Sequence, residues 1–131
     1  MNTQALLTHL QSHLPDLLAV YLFGSQAQGT AGPDSDVDIA VLLSGQIDPV
    51  LLWQLSGSLA DIAGMPVDLI DLRAATTVMQ YQIVTRGQRL WAKDVRAGLF
   101  ESFVLSEKTA FDTARAGLLK DIQEEGTVYG R

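Results

Sequence analysis

Apolar residues recur at helical spacing near the start of the chain, where Leu6, Leu7, Leu10 and Leu14 share one side of a segment from 3 to 14. The run Leu14-Pro15-Asp16 stops that helix. The period then changes. Residues 18–23 (LAVYLF) are short, branched and aromatic, and run into Gly24 as a strand. Residues 35–43 (SDVDIAVLL) alternate, with Val37, Ile39, Val41 and Leu43 on one apolar face. Asp48 and Pro49 read as the N-cap and first position of a helix carrying Leu51, Leu55, Leu59 and Ile62, closed by Gly64. Residues 66–72 (PVDLIDL) form a third strand, 74–86 a helix ending at Gly87, and 88–92 (QRLWA) a last short strand. A long helix follows over about 95–125, with Phe100, Phe103, Val104, Phe111, Leu118 and Ile122 near one stripe. Helices alternating with short strands predict an α/β domain. The late helix has no strand after it, so its stripe packs back on the domain or on another chain. Core packing accounts for Trp53 and Trp91.

Composition narrows the class. With 131 residues, 47% of them hydrophobic, the chain suits one compact domain. No stretch approaches the roughly 20 apolar residues of a membrane span, and the start lacks the basic region of a signal peptide. Without cysteine there are neither disulfides nor thiolate zinc sites. These features predict a cytoplasmic protein. The net charge of −6 opposes sequence-independent binding to nucleic acid. An acidic protein can still use a nucleotide when metal ions stand between its carboxylates and the phosphates.

The acid is concentrated where that requires. Asp34, Asp36 and Asp38 crowd the start of an otherwise apolar strand, although carboxylates are costly to desolvate and repel one another. Asp36 and Asp38 share a face about 6–7 Å apart, given a rise of ~3.3 Å per residue. A DxD pair is often mere surface. As ligands, however, hard oxygens without His or Cys select Mg²⁺ or Mn²⁺. In the third strand, Asp68 has the parity to join that face once Val67 and Leu69 point at the helices. Asp71 has the opposite parity and suits a solvated or capping role. Gly24 and Ser25 follow the first strand, with a short helix at 26–29. Glycine admits a phosphate close to the backbone, and serine adds a donor. Neither a P-loop nor a G-x-G-x-x-G fingerprint is present. His9 and His13 lack an intervening H-E-x-x-H arrangement, Arg86 and Arg89 flank Gly87 and read as solvated charge ahead of a phosphate contact, and Tyr129 reads as part of a frayed tail.

Together, Gly24-Ser25, ten intervening residues and Asp36-x-Asp38 resemble the GSx10DxD signature of the polymerase-β-type nucleotidyltransferases, without a gap. The resemblance spans residues 18–92, and the size is similar to that of the minimal, MNT-type members. It implies a small mixed sheet with helices mainly on one face and a long C-terminal helix. Residues 1–93 would be the core and 94–131 a helical extension of a single domain. It makes Asp36, Asp38 and Asp68 catalytic metal ligands for two Mg²⁺ ions (Mn²⁺ as the alternative), with Asp68 the general base. Gly24 and Ser25 would contact the triphosphate of ATP. The segment from Val67 to Trp91, followed by a helix, looks like the MntA-like antitoxins of HEPN/MNT toxin–antitoxin modules. These transfer AMP from ATP to a tyrosine of the HEPN ribonuclease toxin. The chain departs from the pattern at Gln26 and Gln28, where many relatives carry an Arg, and so lacks a cation at the triphosphate.

About 40 residues follow the last strand, too few for a second core, so a bound toxin is expected to complete the cleft as a hetero-oligomer. The stripe at Phe100, Phe103 and Phe111 is either its docking surface or packing for the chain's own core. A non-catalytic antitoxin acting by occupancy and a small-molecule nucleotidyltransferase of the aminoglycoside-modifying kind are the competing readings.

Overall fold

The structure is a computed structural model that describes residues 2–29, 32 and 36–124, leaving out the side chains of residue 111 and residues 118–124. Asp34, Phe111, Leu118, Ile122 and Tyr129 therefore lie outside the described residues or side chains. Among the described residues, five α-helices and four strands run in the order α1 (Thr3–His13), β1 (Leu17–Phe23), α2 (Gly24–Gln28), β2 (Val37–Leu43), α3 (Pro49–Ala63), β3 (Val67–Asp71), α4 (Thr77–Arg86), β4 (Gln88–Ala92) and α5 (Arg96–Glu124). The sheet order is β3-β2-β1-β4, with β1 antiparallel to both β2 and β4. Strands β2 and β3 are parallel, so α3 is the crossover that parallel pairing demands.

Local chemistry sets the helix ends. Asn2 accepts a hydrogen bond from the Ala5 amide, Asp48 from that of Val50, and Thr76 from that of Met79, each satisfying an amide that a helix start leaves free.

Two cores flank the sheet. Leu6, Leu10, Leu55 and Leu59 of α1 and α3 pack on Val20, Val37, Ile39 and Val41. On the opposite face, Ile83 of α4 and Ala97, Phe100 and Val104 of α5 pack on Ala19, Tyr21, Ala40 and Leu42. Helices therefore cover both faces, where one mainly covered face is expected from the resemblance. The reason lies in β1, which is apolar and buried at every position from Leu17 to Leu22, as strands covered on both sides are. The first turns of α5 thus pack on their own sheet, burying Phe100 while Phe103 stays exposed.

Trp53 is a correction. It is 77% exposed on the outer side of α3, not in the core. Residue 53 is two positions from Leu51 and Leu55, which at 100° per residue faces it away from their stripe. Ile62 is also more exposed than its place in that stripe implies.

Asp71 has the parity expected of it but is buried rather than solvated. Its Oδ2 accepts from the Ile47 amide at 3.1 Å and its Oδ1 from the Arg73 amide at 3.0 Å, capping the 3₁₀ turn at Leu72–Ala74. One carboxylate thus pins the loop after β2 to the end of β3. Asp71→Ala should cost about 2–3 kcal/mol, because two amides lose a charged acceptor in a buried place. Urea unfolding would measure it.

Candidate active site

The acidic residues collect at one end of the sheet. Strand register sets Phe23 of β1 opposite Asp38 of β2, and Asp38 beside Asp68 of β3. Neighbouring strands lie about 4.8 Å apart, so Asp38 stands between the β1 terminus and Asp68. Asp36 precedes β2 and has the parity of Asp38. The Val37 amide donates to the Pro66 carbonyl at 2.9 Å, holding the starts of β2 and β3 level. Asp36 and Asp68 are exposed and Asp38 is half-buried.

Asp38 senses the other two carboxylates. Burial pushes the Asp38 carboxyl above the ordinary Asp range, and the charges of Asp68 and then Asp36 push it further. A group of anions held this way gains from any cation that enters.

Gly24 forms the opposite wall. Its φ of +71° is a left-handed conformation that costs a glycine nothing. A Cβ placed there would overlap the Asp38 carboxylate at Oδ2 and stand 3.2 Å from Cγ. Backbone and carboxylate are therefore in direct apposition, and only glycine permits it. Ser25 follows in the first turn of α2.

Beside Gly24 opens a cavity of about 530 Å³, lined also by Gln28, Gln82, Arg86 and Gly87. Gln28 Nε2 donates to the Arg86 carbonyl at 2.9 Å, tying α2 to the end of α4. Arg89, the other candidate at this turn, is taken up by Glu101 at 3.0 Å. From sequence, Arg86 reads as solvated charge first and as a phosphate contact second. Its residue type was visible, but its position against Gly24 depends on how β4 pairs with β1.

Among the described residues, no three ligating side chains already surround a single point. The donor set nonetheless fits hard divalent ions. It is all carboxylate, Asp38 is crowded by like charge, and Gly24, against which Asp38 stands, lines the neighbouring cavity. His9 and His13 sit on α1 with ring centroids 4.2 Å apart, on an element that contributes nothing to this cleft.

A small mixed sheet with a glycine turn opposed to carboxylates on two adjacent strands has the form of a nucleotidyl-transfer fold. Residues 4–96 match the family described as polymerase beta, nucleotidyltransferase, and the chain belongs to that family. It is 36% identical to the protein adenylyltransferase MntA of Shewanella oneidensis over 122 residues, covering 93% of this chain and 88% of the relative. A crystal structure of a toxin–antitoxin with AMP-PNP superposes with a TM-score of 0.83 at 36% identity, over 94% of this chain and 99% of the other. A tri-AMPylated Shewanella oneidensis HEPN toxin in complex with its MNT antitoxin aligns with a TM-score of 0.74 at 32% identity, over 92% and 94% of the respective chains. Among the described residues, no helix is long and apolar enough to cross a membrane.

Proposed function

We propose that this chain is the antitoxin of a HEPN/MNT toxin–antitoxin module and acts as a protein adenylyltransferase, moving AMP from ATP to a tyrosine of its HEPN partner and so silencing it. The observation that carries this reading is the apposition of Asp38 with Gly24 on one side and Asp68 on the other, in a chain so close to an adenylyltransferase.

Asp36, Asp38 and Asp68 would hold Mg²⁺, or Mn²⁺ in its place, as two ions. When bound, the ions neutralise the triphosphate and lower the pKa of the acceptor hydroxyl. The Gly24 turn and the Ser25 hydroxyl bind the phosphates, since an unhindered backbone lets oxygens approach. Asp68, the exposed carboxylate on the edge strand, faces the incoming acceptor and takes its proton. The acceptor oxygen bonds to the α-phosphorus as the bond to pyrophosphate breaks. A tyrosine suits the role because its unperturbed pKa of ~10 makes it the most easily ionised of the hydroxyl side chains. The partner supplies the acceptor, forms a hetero-oligomer with this chain, and covers the cleft. The net charge of −6 opposes sequence-independent binding to nucleic acid.

The test is intact mass spectrometry of the HEPN partner after incubation with ATP, Mg²⁺ and this chain at a tenth of its amount (about 1:10, enough to require turnover). Increments of AMP on most of the partner are expected. Neutralisation only at equal amounts, without a mass increment, would instead establish an antitoxin acting by occupancy.

A further inference from the structure

We infer that Arg86 is a binding residue for the β- and γ-phosphates of the nucleotide, supplying from the end of α4 the cation missing at Gln26 and Gln28. The inference rests on the nucleotidyl-transfer reading above.

Three independent features place Arg86 in that role. First, it is the last residue of α4 and lines the cavity that opens beside Gly24. Its backbone is held closely there. The Gly87 amide donates to the Ile83 carbonyl at 2.9 Å, and a Cβ on Gly87 would overlap that carbonyl and stand 3.0 Å from the Leu22 carbonyl. Gly87 is thus needed for space, and it seats Arg86 against the end of β1.

Second, other cations are engaged or elsewhere. Arg89 pairs with Glu101, Arg96 with Asp94 and Lys108 with Asp112. Arg73 donates to the Leu43 carbonyl and lies 5.2 Å from the centre of the Phe100 ring. Lys93 follows β4 at the far end of the sheet, its amide bonded to Leu18. Arg86 is exposed and has no carboxylate partner among the described residues.

Third, the strand order sets the direction of transfer. Across the sheet stand Asp68 on β3, Asp38 on β2, Gly24 at the end of β1, and Arg86 just before β4. At about 4.8 Å per strand, Arg86 is three strands from Asp68. In-line displacement puts the acceptor and the departing pyrophosphate on opposite sides of the phosphorus. With Asp68 on the acceptor side, Arg86 falls on the leaving-group side, where negative charge grows. A cation at that end meets the charge that develops on the departing pyrophosphate, away from the carboxylates.

Calorimetric titration of the full chain with AMP-PNP and with AMP, each with Mg²⁺, tests this. Arg86→Gln should weaken AMP-PNP binding by about tenfold or more and leave AMP binding and Tm unchanged. Arg86→Lys should recover part of the loss. A merely structural residue would weaken both nucleotides together or lower Tm. Equal AMP-PNP affinity in wild type and Arg86→Gln overturns the inference. A wild-type chain that binds AMP-PNP but modifies no partner overturns the adenylyltransferase reading and leaves this contact measurable. One that binds no AMP-PNP overturns both.

Discussion

Asp38→Asn should remove AMP transfer by about a thousandfold or more, the scale expected when a metal-holding charge worth several kcal/mol is lost, while the protein remains folded. The side chain keeps its shape and place between Gly24 and Asp68, so packing is preserved. Stability should rise. The native carboxylate is disfavoured by burial and by two neighbouring anions, which hold its pKa up. A group with a raised folded-state pKa contributes fully below the ordinary Asp value and loses that contribution as pH climbs through the raised one. In the absence of metal, wild-type Tm should therefore fall across that acidic window. The Asn variant should be flatter there and higher at neutral pH. Thermal melts over a pH series, with mass spectrometry of the partner, read both effects. A variant that keeps transferring AMP would remove Asp38 from the chemistry.

Gly24→Val should nearly abolish transfer too, but by another route. The branched side chain must adopt φ near +71° and occupy the space of the Asp38 carboxylate. Left-handed strain and overlap together should cost about 2–4 kcal/mol of stability. They also drive the carboxylate from its place, giving a loss of at least about a hundredfold, since displacements near 1 Å carry that penalty. Gly24→Ala should show the same effects in milder form. The contrast with Asp38→Asn is diagnostic, because one variant loses activity while gaining stability and the other loses both. Denaturant unfolding alongside the transfer assay separates them. Unchanged stability in Gly24→Val would mean that the turn is not held as described.

The grouping of the carboxylates was readable from sequence because strand parity is a strict rule. Residues two apart share a face, which placed Asp36 with Asp38 and preferred Asp68 to Asp71. Gly24-Ser25 was legible through its spacing to the acidic pair. What escaped depended on contacts between distant elements. The capping role of Asp71 was legible, but its burial was not, because its second partner, the Ile47 amide, sits in a loop without periodicity. Arg86 and Arg89 looked alike until α5 brought Glu101 to one of them. Trp53 was misplaced because its apolar character outweighed a helical phase that already turned it outward. The second covered face was written in the unbroken apolar run of β1, a weaker signal than alternation.

The parallel pairing of β2 with β3 also bears on when the molecule becomes active. Asp38 and Asp68 meet only after the intervening crossover has been made, docked and followed by its strand. Loop closure must precede that contact, which makes it a late and non-local event in folding. A chain that has made only its first hairpin carries the glycine turn and the acidic pair without Asp68 beside them. Under the proposed mechanism, the carboxylate trio is therefore complete only once the native strand order has formed.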